Sequence, residues 1–373
     1  MKNPARNALA LALAAAGLTG LATAQADTKA TSISNSGIAL QSAWTDADYA
    51  NAKTLTPKVN HLPASSFDYN AAAAQTQAPK ADVAGRRGGA DAKHLLEQRL
   101  MPVTAGEMDA DGGLSPEAIG TGGINFTSTR LLKALDTAYP TRTVGKLYFK
   151  KPSGATYMCS GSMIKPGIVV TAGHCIHDGV SSFYNSFQFI PGYRKVGAVE
   201  TRPYGTWTSW AYARTTSDWV SGGGSVPNLR DWAVIVFNKD AAGKRIGDYT
   251  GWLGYQYPSM IGKQLSVVGY PGNLDLGGQM HQTSSMVNNY GSNNGVYGSD
   301  MEGGSSGGPN VLNFRIDYTN SSTAPSDNNG NRVTSVVSWG YTDPAQKVQG
   351  GSQFDSVFGT IVSDTCTSYA WAC

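Results

Sequence analysis

Short apolar runs separated by turn residues begin near residue 143 and continue through the second half of the chain. The runs are rich in β-branched and aromatic side chains, and Gly, Asn, Pro and Asp stand between them. Short strands at this spacing, without a long helical periodicity, are typical of a β-sandwich or a β-barrel. The predicted strands cover residues 144–149, 157–164, 167–171, 183–190, 232–237, 264–270 and 333–339.

A different periodicity is present near the C-terminus. Phe354, Val357, Phe358 and Ile361 recur at helical spacing, so they would share one face of a helix. We predict a short helix over residues 354–362 whose apolar face packs against the β-rich core. The simplest role for this stripe is packing rather than chemistry.

The first 24 residues have the organisation of a secretory signal peptide. Lys2 and Arg6 give a positive start, and residues 8–18 form an apolar run that is too short to span a bilayer comfortably. Residues 22–24 (Ala-Thr-Ala) provide a small-x-small cleavage site, which predicts Gln25 as the first residue of the exported chain. The alternative is a buried N-terminal helix. We expect a secreted protein, either extracellular or in transit through the periplasm.

The composition of the 373 residues agrees with an exported all-β protein. Hydrophobic residues make up 40% and charged residues only 15%, and there are 45 glycines. The formal net charge is +3 and no basic block stands out, so we expect no nucleic-acid partner. We also expect no membrane span after the leader.

The chain has four cysteines, which are Cys159, Cys175, Cys366 and Cys373. An even number in an exported chain favours disulfides over free buried thiols, and four cysteines allow three pairings. We expect the pairs Cys159–Cys175 and Cys366–Cys373. The first pair would close a loop around His174, and a loop of this size contributes roughly 3 kcal/mol in the chain-entropy description.

Three motifs carry residues suited to nucleophilic chemistry. His174 lies in Val-Val-Thr-Ala-Gly-His-Cys, Asp231 precedes Trp-Ala-Val-Ile-Val-Phe, and Ser306 lies in Glu-Gly-Gly-Ser-Ser-Gly-Gly-Pro. A Gly-rich turn leaves a serine hydroxyl and backbone N–H groups accessible to a ligand. An imidazole can take the hydroxyl proton, and a buried carboxylate can fix the imidazole tautomer. Taken singly, His174 could be a packed core histidine and Asp231 could simply end a strand.

Together, the Thr-Ala-Gly-His-Cys and Ser-Gly-Gly-Pro blocks, with Arg-Asp-Trp-Ala-Val between them, resemble the chymotrypsin-like (trypsin-fold) serine endopeptidases. The resemblance covers roughly residues 140–345. It implies an all-β fold of two six-stranded antiparallel β-barrels with a short C-terminal helix. The first barrel would extend to about residue 250 and carry His174 and Asp231, and the second barrel would carry Ser306.

The same resemblance assigns roles within a secreted serine endopeptidase that acts through an acyl-enzyme. Ser306 would be the nucleophile, His174 the general acid–base and Asp231 the group that orients the imidazole. The backbone N–H groups of Gly304 and Ser306 would form the oxyanion hole. Ser305 is the rival nucleophile, but Ser306 directly precedes Gly-Gly-Pro, as the nucleophile of the family does.

The resemblance also implies a substrate pocket. Asp300, six residues before Ser306, matches the aspartate at the pocket base of trypsin-like members, which predicts a preference for Arg or Lys at the P1 position. Ser338, Trp339 and Gly340 match the substrate-binding strand. The glutamyl-endopeptidase branch has a histidine before this Trp-Gly pair. This chain has Ser338 there, so a glutamate preference lacks its usual support.

Related patterns limit the interpretation in two ways. Animal digestive members have an aspartate directly before the nucleophile, but this chain has Ser305, and its block is closer to the bacterial glutamyl-endopeptidase branch. Zymogen activation through an N-terminal ion pair is therefore not expected. The block also fits the Gly-x-Ser-x-Gly elbow of α/β-hydrolases, but that fold needs a histidine after the serine. The last histidine of this chain is His281, which precedes Ser306.

Residues 25–130 differ from the rest of the chain, because they contain an alanine run, polar stretches and no strong strand pattern. Residues 94–100 have the spacing of a short helix. In an exported protease such a region is most simply a propeptide that assists folding or blocks the active site until it is removed, and Arg86-Arg87 is a candidate processing point. A disordered linker or a small accessory domain is the alternative. Residues 131–373 would form the protease domain, a monomer that acts on protein or peptide substrates.

Other functions stay open from the sequence. A catalytically inactive protease homologue could serve as a binding module, although all three triad residue types are present. The Asn-, Gly- and Ser-rich residues 284–299 would also suit a structural or adhesive exoprotein. His174 and His177 could in principle ligate a metal, but no glutamate accompanies them in a zincin arrangement, so we expect no metal and no cofactor.

Overall fold

A computed structural model describes residues 30–35, 44–60, 80–88, 97–100, 122–315 and 330–373. The predicted leader, residues 1–24, lies outside the described residues. Among the described residues, no helix is long and apolar enough to cross a membrane.

The part of the chain before residue 131 contributes short strands and one short helix to the described structure. The helix is α1 (Asp46–Ala50). The strands are β1 (Ala30–Ser34), β2 (Lys53–Thr54), β3 (Lys58–Val59), β4 (Ala81–Val83), β5 (Glu97–Leu100) and β6 (Phe126–Arg130).

The first lobe, residues 144–237, is built from longer strands. They are β7 (Val144–Lys150), β8 (Thr156–Lys165), β9 (Ile168–Thr171), β10 (Asn185–Pro191), β11 (Arg194–Val196), β12 (Val199–Arg202), β13 (Trp210–Thr216) and β14 (Ala233–Phe237), with α2 (Ser217–Ser221) after β13. The main sheet is antiparallel in the order β13-β14-β9-β8-β7-β10. Every residue of β9 and β14 is buried, which explains why these two strands read as continuous apolar runs.

The second lobe, residues 254–352, comes after α3 (Ile246–Thr250). Its strands are β15 (Gly254–Tyr257), β16 (Gln264–Gly269), β17 (His281–Met286), β18 (Asn288–Gly291), β19 (Asn294–Gly298), β20 (Pro309–Leu312), β21 (Arg332–Val336), β22 (Trp339–Tyr341) and β23 (Val348–Ser352). They form two sheets, in the orders β15-β21-β20-β16-β17 and β18-β19-β23-β22. One apolar cluster includes residues of both lobes and of the C-terminal helix α4 (Ser356–Ser368).

Each strand before residue 131 adds to a sheet of this body. β1 pairs with β13, β4 with β15, β5 with β12 and β6 with β17, all antiparallel, whereas β2 pairs with β8 and β3 with β22 in parallel. The sequence showed no strand pattern here, and the structure therefore adds strands that the sequence did not predict. The helix predicted over residues 94–100 is wrong for its described part, because Glu97–Leu100 is a strand.

The structure confirms the all-β class and the C-terminal helix. α4 buries Val357, Phe358 and Ile361, the stripe that the sequence indicated. The seven predicted strands are also present within a few residues of their expected bounds. The hydrogen-bonded strand orders of the described residues leave the sheets open, so the closure into two six-stranded barrels stays a prediction.

Both expected disulfides are present. Cys159 of β8 is bonded to Cys175 in the turn after β9, and Cys366 of α4 is bonded to Cys373. The first bond joins the end of β9 to its neighbouring strand, which restrains the turn that carries His174.

Candidate active site

His174 lies in a short 3₁₀ turn, Gly173–Cys175, directly after the buried strand β9. Gly173 is required there, because a Cβ atom at this position would lie 2.7 Å from Thr215 Oγ1 and 2.9 Å from Asp231 Oδ1. The close approach and the disulfide at Cys175 hold the histidine against Asp231 and Thr215, and His174 is 2% exposed.

Asp231, fully buried just before β14, is the partner of this histidine. His174 Nδ1 lies 2.7 Å from Asp231 Oδ2, and the backbone N–H of His174 donates to Oδ1 at 2.9 Å. The hydroxyl of Ser338 also donates to Oδ2, at 2.6 Å. These contacts satisfy a buried carboxylate and fix the ring with Nδ1 towards Asp231, so Nε2 is the nitrogen that remains for chemistry.

Ser306 lies in the Gly-rich turn before β20. Gly304 and Gly307 have φ values of +99° and +76°, which favour glycine. A Cβ atom at Gly307 would lie 2.0 Å from Thr171 Oγ1, so the turn packs against the end of β9 without room for a side chain. The carbonyl of Ser306 accepts from Ser160 N–H of β8 at 2.7 Å, which ties the turn to the first lobe.

The hydroxyl of Ser306 contacts a residue of the N-terminal region. Its Oγ lies 2.7 Å from Thr56 Oγ1, and Ser306 is fully buried. His174 Nε2 is buried and has no hydrogen-bond partner among the described residues. The described structure thus brings His174 and Asp231 into a hydrogen bond, while the serine hydroxyl is engaged by Thr56.

Two backbone N–H groups of the Gly-rich turn are suitable for an oxyanion. The N–H groups of Ser305, Gly307 and Gly308 donate to backbone carbonyls, at 2.8–3.1 Å. By contrast, the N–H groups of Gly304 and Ser306 donate to no acceptor among the described residues. Their roles as oxyanion donors stay a prediction with which this pattern agrees.

Ser305, the rival nucleophile, has its hydroxyl engaged elsewhere. Ser305 Oγ donates to Glu302 O at 2.6 Å and accepts from Gln349 Nε2 at 2.9 Å. Ser305 is fully buried, and its hydroxyl contacts Glu302 and Gln349 of β23, not His174. This arrangement favours Ser306 over Ser305.

A small cavity of about 20 Å³ lies beside the Gly-rich turn, where the substrate pocket is predicted. Its lining includes Asp300, Glu302 and Gly340, and Thr56 and Lys58 of the N-terminal region close it. Asp300 is half-buried, and its Oδ1 accepts from Ser128 Oγ of β6 at 2.8 Å.

The other predicted substrate-binding residues behave differently. Ser338 directs its hydroxyl to Asp231, and the indole N–H of Trp339 donates to Asn294 Oδ1 at 3.1 Å. Only Gly340 of the three lines the cavity, and its N–H donates to Pro57 O at 3.2 Å. The roles of Ser338 and Trp339 in substrate binding stay predictions.

Sequence reasoning missed Gln349, which also lines the cavity. Its side chain accepts from Ser299 Oγ and donates to Ser305 Oγ, both at 2.9 Å, and it is 1% exposed. A polar residue inside the Gly-rich strand Val348–Ser352 was the available signal.

The sequence matches the trypsin family over residues 136–353, which is more than half of the chain. The chain belongs to the trypsin family. This match confirms the resemblance that the His, Asp and Ser motifs indicated.

Two curated relatives are similar to this trypsin-family chain. A glutamyl endopeptidase of Bacillus licheniformis is 33% identical over 176 residues, which cover 46% of this chain and 49% of the relative. A protein named extracellular metalloprotease, from Bacillus subtilis, is 27% identical over 192 residues, covering 50% and 57%. The chain therefore spans about half the length of the curated relatives it matches.

Solved protease structures are also similar to this chain. The protease Anisep from Arthrobacter nicotinovorans is 27% identical with a TM-score of 0.49, over 61% of this chain and 97% of that chain. A Glu endopeptidase is 20% identical with a TM-score of 0.45, over 64% and 95%.

One group of possible metal ligands lies at this site. A ligand atom of each of Cys159, His174 and Cys175 lies within 4.8 Å of the others. The two sulfur atoms are bonded to each other, so neither can act as the thiolate that a metal requires. His174 Nδ1 is engaged by Asp231, and His177 Nδ1 accepts from Gly179 N–H at 2.9 Å. These residues do not fit a metal centre.

Proposed function

We propose that this trypsin-family protein is a secreted serine endopeptidase with Ser306 as nucleophile, His174 as general acid–base and Asp231 as orienting group. The observation that carries the proposal is the buried His174–Asp231 hydrogen bond at 2.7 Å. A histidine held in this way presents a single free nitrogen, and the family's nucleophile motif supplies the hydroxyl for it.

The proposed reaction begins when Ser306 Oγ attacks the scissile carbonyl carbon and His174 Nε2 takes the hydroxyl proton. The carbonyl oxygen becomes an oxyanion, which the N–H groups of Gly304 and Ser306 would stabilise by about 3 kcal/mol each. His174 then donates the proton to the leaving amine, and an acyl-enzyme remains on Ser306. Water, deprotonated by His174, attacks the acyl carbon, and the acid product leaves as His174 returns the proton to Ser306 Oγ.

Organophosphate labelling tests the nucleophile in the processed protein. We expect a covalent adduct on Ser306, loss of turnover in Ser306→Ala, and retention of much of the activity in Ser305→Ala, since the Ser305 hydroxyl is engaged by Glu302 and Gln349. The reverse pattern in folded variants would overturn the assignment. A folded, processed protein that does not react would support the inactive binding module instead.

The pocket supports a preference for Arg or Lys at the P1 position. Asp300, Glu302 and Asp343 line the cavity, and Lys347 is the basic residue that the protease domain contributes to this lining. A cationic side chain would neutralise this acidic lining. The glutamyl endopeptidase that this chain resembles supports glutamate as the competing preference.

Cleavage profiling on a diverse peptide library decides between these preferences. We expect cuts after Arg and Lys that Asp300→Ser reduces at least tenfold in kcat/KM, while Asp364→Ser, on the helix α4, leaves the profile unchanged. If wild type cuts after Glu, or if Asp300→Ser cuts the same sites, the role of Asp300 is wrong.

The proposal includes export and processing. Residues 1–24 would be removed as a signal peptide and residues 25–130 as a propeptide, and the active enzyme would begin between about residues 115 and 140. Sequencing the N-terminus of active material from the culture medium tests this. A fully active enzyme that begins at Gln25 would contradict it.

A further inference from the structure

Residues 53–59, the groove segment, cross the site from one lobe to the other. Lys53 and Thr54 pair in parallel with Tyr157 and Met158 of β8 in the first lobe. Lys58 and Val59 pair in parallel with β22 in the second lobe, where Thr342 N–H donates to Val59 O at 3.0 Å. Residues 55–57 link these two pairings, so they lie over the gap between the lobes, beside Ser306.

The hydroxyl of Ser306 is hydrogen-bonded to Thr56 and not to His174. The Thr56 hydroxyl lies 2.7 Å from Ser306 Oγ, whereas His174 Nε2 has no partner in the described part of the chain although His174 is 2% exposed. A buried polar atom without a partner is costly and is rarely left without a use. The unpaired Nε2 of His174 therefore indicates a site in which the serine hydroxyl is paired with Thr56 in place of the histidine.

The groove segment is anchored on both sides of Thr56. Val59 is 8% exposed and packs in a cluster with Trp339 and Val348, so its buried apolar side chain holds this end of the segment on the second lobe. On the other side, a Cβ atom at Gly303 would lie 2.6 Å from Thr54 Oγ1. Because Gly303 has no side chain, the segment can approach the Gly-rich turn closely.

The groove segment also closes the predicted P1 pocket. Thr56 and Lys58 line the same cavity as Asp300, and the free volume left is about 20 Å³. A cavity of that size holds about one water molecule. No substrate side chain can enter while the segment is in place.

We propose that residues 53–59 form a built-in inhibitor that occupies the substrate groove and draws Ser306 away from His174. This inference rests on the proposed function. The segment would resist cleavage, because it presents the Thr56 hydroxyl to Ser306 Oγ where a substrate presents a carbonyl carbon. The N–H groups of Gly304 and Ser306 also receive no carbonyl from it.

Controlled release of the groove segment tests the proposal. Recognition sequences for a site-specific protease are inserted within residues 36–43 and 61–79 of the full chain, so that cutting at both frees the segment. Fluorophosphonate labelling of Ser306 is timed before cutting and after the fragment has been removed. We expect labelling to become at least tenfold faster after removal.

Point variants of the uncut full chain separate the hydroxyl from the rest of the segment. Thr56→Val keeps the shape of the side chain but cannot hold Ser306, so we expect labelling to become severalfold faster. Thr367→Val on α4, where the exposed hydroxyl donates only to Ser363 O of the same helix at 3.0 Å, is the matched control and should not change the rate. A synthetic peptide of residues 50–60 should inhibit the released enzyme competitively, and its Thr56→Val version should inhibit less.

The possible failures are distinguishable. Labelling that is equally fast before and after removal, in an enzyme that turns over substrate, overturns the inhibitor and leaves the proposed function intact. Rapid cleavage of the added peptide between residues 53 and 59 also overturns the inhibitor. A folded protein that is not labelled before or after removal overturns the proposed function and the inhibitor with it.

Discussion

The strands of the two lobes and the strands before residue 131 are stabilised in different ways. β9 and β14 are buried along their whole length and pair with each other and with further strands. β2, in contrast, has two exposed residues, Lys53 and Thr54, and pairs with β8 alone among the described strands. The body therefore forms by burying its own apolar runs, whereas the N-terminal strands add to edges that the body already offers.

Apolar and polar contacts both join the N-terminal region to the body, since partly buried Ile33, Trp44 and Leu55 pack against its core. Asp82 is paired with Arg332, Lys150 Nζ lies 3.1 Å from Asp48 Oδ2, and Tyr49 OH donates to Gln188 Oε1 at 2.5 Å. Interfaces of this mixed kind resemble those between domains of one chain, where relative motion is the normal expectation. The body therefore folds around its own core, and the N-terminal region is attached to the body.

The largest expected effect is on kcat, and it distinguishes Asp231 of the body from Asp82 of the N-terminal region. In the processed enzyme, Asp231→Asn should lower kcat roughly 10⁴-fold, the order of magnitude for this change in a serine-protease triad, because an amide favours the wrong tautomer of His174. Asp82→Asn, in a chain that is then processed, should leave kcat within about twofold. Steady-state kinetics of both variants measure this, and comparable losses would contradict the separation of the two regions.

Hydrogen exchange measures the separation directly. In full-length Ser306→Ala, which cannot process itself, amides of β4 should exchange at least about 100-fold faster than amides of β14, because local detachment needs less free energy than global unfolding. Equal exchange rates would mean that the N-terminal strands open only when the body unfolds.

The smallest expected effect is the response to acid, which should begin in different pH ranges for the two regions. Burial lowers the pKa of His177, although Asp178 opposes it, so stability of the body is present above about pH 6.5 and declines below it. Burial raises the pKa of Asp48, but the hydrogen bonds from Thr45 and Lys150 together outweigh burial, so the net pKa is lowered. Its contribution to attachment is therefore present above about pH 4 and lost only below that.

Thermal unfolding and hydrogen exchange between pH 3 and 8 test this order. His177→Asn should flatten the stability profile between pH 5 and 7, and Asp48→Asn should affect only the exchange of N-terminal amides below pH 4. Loss of attachment at pH 6 in the wild type would contradict the assigned ranges.

The sequence predicted what the core and the rigid turns determine. The apolar runs of the two lobes became strands because burial requires them, and the motifs of His174 and Ser306 fix sharp turns whose glycines have no substitute. The pairing of Lys53 and Thr54 with β8 could not be predicted from the sequence. Both side chains are exposed and show no strand pattern, so the strand forms only because the backbone of β8 is available to pair with it. Gln349 was missed because only the register of β22 against β23 brings it beside the pocket.

The covalent tie between the groove segment and the enzyme sets how strongly the segment can act. A group held on the same chain has an effective concentration in the millimolar range, so an intrinsic affinity in the micromolar range keeps the groove filled. Once the chain is cut on both sides, the same fragment is diluted to the concentration of the protein in solution and leaves. A weak contact at Thr56 can therefore keep the uncut chain inactive and become negligible once the segment has been released.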